Sequence, residues 1–290
     1  MIPSDTLQHY AQQDLLTHPA GLASLYDALP AGASALCDAM SGLIIHTSWA
    51  DKYGIPSGTP LPRETKPVAD RLAEIQQRFG GSLLTHRAPT QRPFGTCRDF
   101  ALLMCSALRH RAIPARVRCG FATYFAGRRF ADHWICEYWI AEQQRWAAAD
   151  AQIDALQREH LAIGFDTADL PNGAFVSAPE AWGLVRSGAA SADDFSHGDA
   201  NGLWFLSLNL HRDLLALASR HVSAWDSWRS ADDESKHLSH ADLVACDRLA
   251  ADVIAAVASG NVAALEELAK YRSTPPWHLS SHSRMEGRAH

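Results

Sequence analysis

At 290 residues with 47% hydrophobic side chains, the chain is long enough for one large domain or a core with an appended subdomain. Its formal charge of −6 argues against a general nucleic-acid or anionic-membrane surface, because such partners call for a basic patch. No uninterrupted apolar run reaches about 18 residues, and the start lacks the charged and apolar regions of a signal peptide. The expected compartment is therefore the cytosol, where six dispersed cysteines stay reduced.

The first 80 residues read as helices separated by loops, over 4–13, 19–28, 34–41 and 66–79. Val68, Leu72, Ile75 and Phe79 form the apolar face of the last. A loop rich in proline and glycine spans 53–62, and Gln91 lies in a second loop bracketed by Pro89 and Pro93.

Gly95-Thr96-Cys97-Arg98-Asp99-Phe100 then opens a helix. Thr96 with Asp99 three residues on is a capping-box pattern, and Phe100, Leu103, Met104, Ala107 and Leu108 follow the spacing of a buried helical stripe. Cys97 sits where backbone N–H groups are free to favour an anion, whereas Cys105 lies inside the helix and lacks them. Pro114 ends the pattern.

Three strands are predicted next. The first runs from 115 to 125, a turn follows at 127–129, and the second carries His133, Ile135, Glu137 and Trp139 on one face. The third covers 145–150. A reversal centred between Ala141 and Glu142 sets Asp150 opposite His133; one centred on Gln143 sets it opposite Cys136. Glu137 is the weaker rival of Asp150 as a partner for His133, and Asp132 points to the other strand face. Cysteine, histidine and aspartate in this order can serve as nucleophile, base and orienter.

From about residue 161 the chain turns helical again, over 179–186, 203–225, 241–258 and 262–270, with a break at Gly260-Asn261 and a polar tail at 280–290. Eight of the nine tryptophans follow His133, so part of this aromatic surface is a candidate cleft wall. Trp134 and Trp204 are its candidate substrate contacts, with Arg212 and Asp213 as polar ones; a packed core and a solvated helix face are the plainer alternatives. No metal is expected, since the histidines and cysteines lack ligand spacing, and no nucleotide-binding glycine motif implies a cofactor.

The run from Gly95 to Asp154 resembles the transglutaminase-like superfamily, which includes bacterial thiol proteases and is distantly related to papain-like enzymes. Carrying the resemblance are Gly-Thr-Cys-Arg-Asp-Phe, the segment Ile113-Pro114-Ala115-Arg116-Val117-Arg118-Cys119-Gly120-Phe121, Asp132-His133-Trp134, and Arg145-Trp146 leading to Asp150. It implies an α+β fold in which the nucleophile helix packs on an antiparallel sheet, with helical N-terminal and C-terminal parts. It implies Cys97 as nucleophile, His133 as base and acid, and Asp150 as orienter. Gln91 and Trp49 are candidates for an oxyanion donor. The expected organisation is a catalytic core with N-terminal helices over 1–160 and a packed helical extension over 161–290. The expected activity is acyl transfer on an amide or activated acyl group through a thioester, as amidase, peptidase or amide-forming acyltransferase. The substrate is a small molecule or peptide, with no nucleic acid or membrane as partner. A non-catalytic binding module with the same fold is the alternative.

Overall fold

The computed structural model describes residues 2–63, 65–125, 129–220 and 237–270. They divide into two compact units, one built from 10–117 and 135–171, the other from 1–9, 118–134 and 172–290. Both units are discontinuous in sequence.

Helix α1 (Ser4–Ala11) contributes residues to both units; in the first, helices α2 (Ala33–Ser41), α3 (Val68–Arg78) and α4 (Cys97–His110) pack together, and α5 (Ala155–His160) comes later in the chain. Short strands β1 (Ile45–His46) and β2 (Phe94–Gly95) pair in parallel just before α4. The cap of α4 is the one its sequence calls for. Asp99 Oδ2 accepts from the Thr96 backbone N–H at 2.8 Å and from its hydroxyl at 3.0 Å. All of α4 from Cys97 to Arg109 is buried, so the helix is wrapped on every side and not merely along its apolar stripe.

Strand β3 (Ala115–Ala122) and strand β4 (Phe130–Ile140) contribute residues to both units. Within the first, β4 pairs antiparallel with β5 (Arg145–Ala149), in the register Cys136↔Ala149 to Ile140↔Arg145. This differs from both expected registers. The hairpin loop has four residues, 141–144, and Gln144 takes a left-handed φ of 53° that no glycine announced.

In the second unit the sheet order is β6-β3-β4-β7-β8, with β6 at Phe175–Ser177, β7 at Phe195–His197 and β8 at Ala200–Asn201. β6 and β8 pair antiparallel with their neighbours, and β7 runs parallel to β4. Helices α6 (Ala178–Arg186), α7 (Leu203–Leu217), α8 (His240–Ser259) and α9 (Val262–Lys270) form this unit's core with Phe121, Phe130 and Phe195. The expected continuation of α7 toward residue 225, together with Trp225, Trp228 and the polar tail, lies outside the described residues. Gly260 ends α8 with a left-handed φ of 67°, and its carbonyl accepts from the Thr6 hydroxyl. A Cβ there would meet Pro3 Cδ at 2.8 Å, so glycine is needed for space as well as for backbone conformation.

Mixed helix and sheet were expected, and the α+β class holds. Among the described residues, no helix is long and apolar enough to cross a membrane.

Candidate active site

Cys97 is the first residue of α4, immediately after its capping residue Thr96, and is 8% exposed. This is the position at which a helix presents free N–H groups and the positive end of its dipole. The other five cysteines are buried, none at a helix start. Burial, then the adjacent Cys105, pushes the Cys136 thiol well up. Burial and the nearby Asp150 carboxylate push up Cys37 of α2.

The start of α4 is braced from α3, which the sequence reading did not anticipate. Arg71 Nη2 donates to Asp99 Oδ1 at 2.8 Å, and its Nη1 donates to the Phe94 carbonyl and to Glu74 Oε2, each at 2.8 Å. A signal was available. Arg71 lies three residues after Val68 and four before Ile75, and so falls on the apolar face of α3, where a charge needs a buried partner.

His133 lies in the second unit, on β4, 2% exposed, with the rings of Phe125 and Tyr124 at 4.9 and 6.1 Å. Asp150 lies in the first unit, one residue beyond β5 and 1% exposed. Its backbone N–H donates to the Thr167 carbonyl at 2.7 Å, and its Oδ1 accepts from the Gln152 N–H at 2.9 Å, a turn that holds the carboxylate. Continuing the β4–β5 ladder one step sets Asp150 opposite Ile135, so neither expected register holds. Glu137, the rival orienter, accepts from Arg116 Nε at 2.7 Å, and that guanidinium stacks over the Trp146 ring at 4.1 Å.

The remaining candidates are held in other ways. Gln91 closes a short turn, its Oε1 accepting from the Ala88 N–H at 2.8 Å. Trp49 is half-buried, edge-on to His160 at 5.4 Å. Trp134, Arg212 and Asp213, expected at a cleft wall, are buried at 1, 5 and 0% exposure, so none presents open surface to a ligand. Asp213 holds Arg118 through two hydrogen bonds of 3.0 and 2.8 Å and accepts from the Cys119 N–H at 2.8 Å. Arg212 donates to Asn209 at 3.1 Å. Asp132 lies near Arg212, His197 and His133, and burial raises its pKa despite the Arg212 charge. Only Trp204 of this group is half-exposed.

Residues 77–151, which contain Cys97, His133 and Asp150, match the transglutaminase-like superfamily. The matched segment runs from the end of α3 through α4, β3, β4 and β5. Among solved structures, one described as that of a candidate cysteine protease from Cytophaga hutchinsonii is similar at 18% identity with a TM-score of 0.38. The likeness covers 61% of this chain and 46% of that one, so the present chain spans under half of its length. No curated protein matches.

Proposed function

We propose that the chain is a cysteine-dependent acyl-transfer enzyme, with Cys97 as nucleophile, His133 as general base and acid, and Asp150 as the residue that orients the imidazole. The observation that carries this reading is the start of α4 inside the transglutaminase-like core. There a thiol follows the capping residue directly, at the end of the helix that favours an anion. In the reaction, His133 takes the thiol proton and the Cys97 sulfur attacks an amide or activated acyl carbonyl. The tetrahedral adduct collapses to a thioester as the leaving amine takes the proton from the imidazolium. The Cys97 backbone N–H is the proposed oxyanion donor, with Gln91 or Trp49 as a second. Water then gives hydrolysis; an amine gives a new amide. The half-exposed Trp204 is the residue of α7 proposed to meet substrate.

The test is intact-protein mass spectrometry after brief incubation with a panel of amide and thioester substrates. Wild type is expected to gain an acyl group that maps to Cys97. Cys97→Ala abolishes it, His133→Ala slows it by orders of magnitude, and Asp150→Ala slows it less. An acyl group retained in Cys97→Ala would overturn the mechanism.

A further inference from the structure

We propose that Arg71 is a positioning residue for Cys97, acting through Asp99 to cancel a negative charge at the start of the nucleophile helix. The proposal rests on the reading of Cys97 as nucleophile. Asp99 has two opposed effects. Its Oδ2 fixes the helix cap by accepting both the N–H and the hydroxyl of Thr96. The same buried carboxylate places a negative charge in the first turn, two residues from the sulfur, where a like charge opposes the thiolate.

Arg71 removes the conflict. Its guanidinium is 2% exposed and bonds Asp99 Oδ1 at 2.8 Å, the oxygen not used by the cap. The second arm, on the Phe94 carbonyl at 2.8 Å, ties the same charge to the strand leading into the cap. Glu74 bonds Arg71 at 2.8 Å and is matched in turn by Lys66 Nζ at 2.9 Å. On the α3 side Asp99 therefore meets the Arg71 guanidinium, whose second carboxylate, Glu74, is itself matched by Lys66. The carboxylate packs directly on Gly95, where a Cβ would lie only 3.1 Å from its Oδ2. A cap without a charged N3 residue needs no such partner; a charged cap beside a reactive thiol does.

The test is iodoacetamide labelling of Cys97, read as the ratio of its rate at about pH 7 to that at about pH 9.5, which cancels changes in access. Arg71→Met should lower the ratio severalfold. Asp99→Asn keeps a cap acceptor without the charge and should raise the ratio severalfold. The double variant should return it to within about twofold of wild type, and Arg71→Lys should keep it near wild type. A merely structural brace predicts loosening, and hence faster labelling at both pH values, in every variant. An unchanged ratio in a folded Arg71→Met, or shifts of the same sign in both single variants, overturns the proposal. If Arg71→Met does not fold, Asp99→Asn decides alone, and the absence of a rise overturns it. Labelling needs no substrate, so a wild type that forms no acyl-enzyme would remove the nucleophile reading while this charge pattern is judged separately.

Discussion

Two buried ion pairs, one in each unit, solve the burial of a carboxylate differently. Asp99 sits in the first turn of α4, where the Thr96 N–H and the helix dipole already favour a negative charge before Arg71 is added. Asp213 sits deep in α7, where the helix's own N–H groups are consumed, and takes its donors from β3 through Arg118 and the Cys119 N–H. At the helix start the guanidinium supplements local chemistry; inside α7 it supplies the main compensation for burial.

The largest effects should follow that contrast. Arg118→Met leaves Asp213 buried without its bidentate partner and is expected to cost about 5 kcal/mol, near the top of the range for a broken buried pair. Arg71→Met leaves Asp99 its cap and should cost about 3 kcal/mol. Urea unfolding of the two variants measures the difference. Equal costs would mean that the helix start contributes nothing to holding Asp99.

Glycines sharpen the comparison at smaller magnitude. A Cβ at Gly120 would run into the Val176 backbone oxygen and the Ser177 Cα of β6, so Gly120→Ala must move a paired strand. A Cβ at Gly95 meets the flexible end of Ile44 and the Asp99 carboxylate. Expected costs are about 3 kcal/mol for Gly120→Ala and about 1 kcal/mol for Gly95→Ala, by thermal or urea unfolding. A larger loss at Gly95 would show that the cap of α4 tolerates less movement than its side-chain neighbours suggest.

The smallest effect lies at the surface of the second unit. Asp247 of α8 accepts from Arg186 Nε at 2.7 Å and from the Trp182 indole at 2.8 Å, and the Arg186 bond holds its carboxyl below the usual range. A lowered folded pKa gives stability that is present above the ordinary carboxylate range and is lost as pH falls through the lowered value. Both partners are over a third exposed, so solvent screening limits the pair to less than about 1 kcal/mol. Asp247→Asn should lower stability by that much near neutrality and by less in acid. A constant loss at every pH would assign the effect to packing.

What was readable in the sequence was local. The cap of α4 needs only residues 96 to 99, and the break at Gly260 only one glycine, so short-range chemistry specifies both. The order of Cys97, His133 and Asp150 was equally visible. Their surroundings were not, because each depends on pairing between distant segments. The β4–β5 register turns on a four-residue loop with Gln144 left-handed, a conformation its residue type does not signal. Asn209, Arg212 and Asp213 share one side of α7 as helical spacing requires, but it takes partners such as Arg118 and Cys119, 90 or more residues earlier, to turn a polar stripe into a buried network. Arg71 was passed over for the same reason, since its partner lies 28 residues on.

The most direct test of the account is peptide-mapped alkylation of the native chain with iodoacetamide at neutral pH, comparing all six cysteines. Exposure barely separates Cys97, at 8%, from Cys246, at 5%, so a difference in rate between them reports chemistry more than access. The account predicts that Cys97 is labelled first by at least about tenfold and that His133→Ala slows this site alone. Equal labelling of Cys97 and Cys246, unchanged by loss of His133, would contradict it.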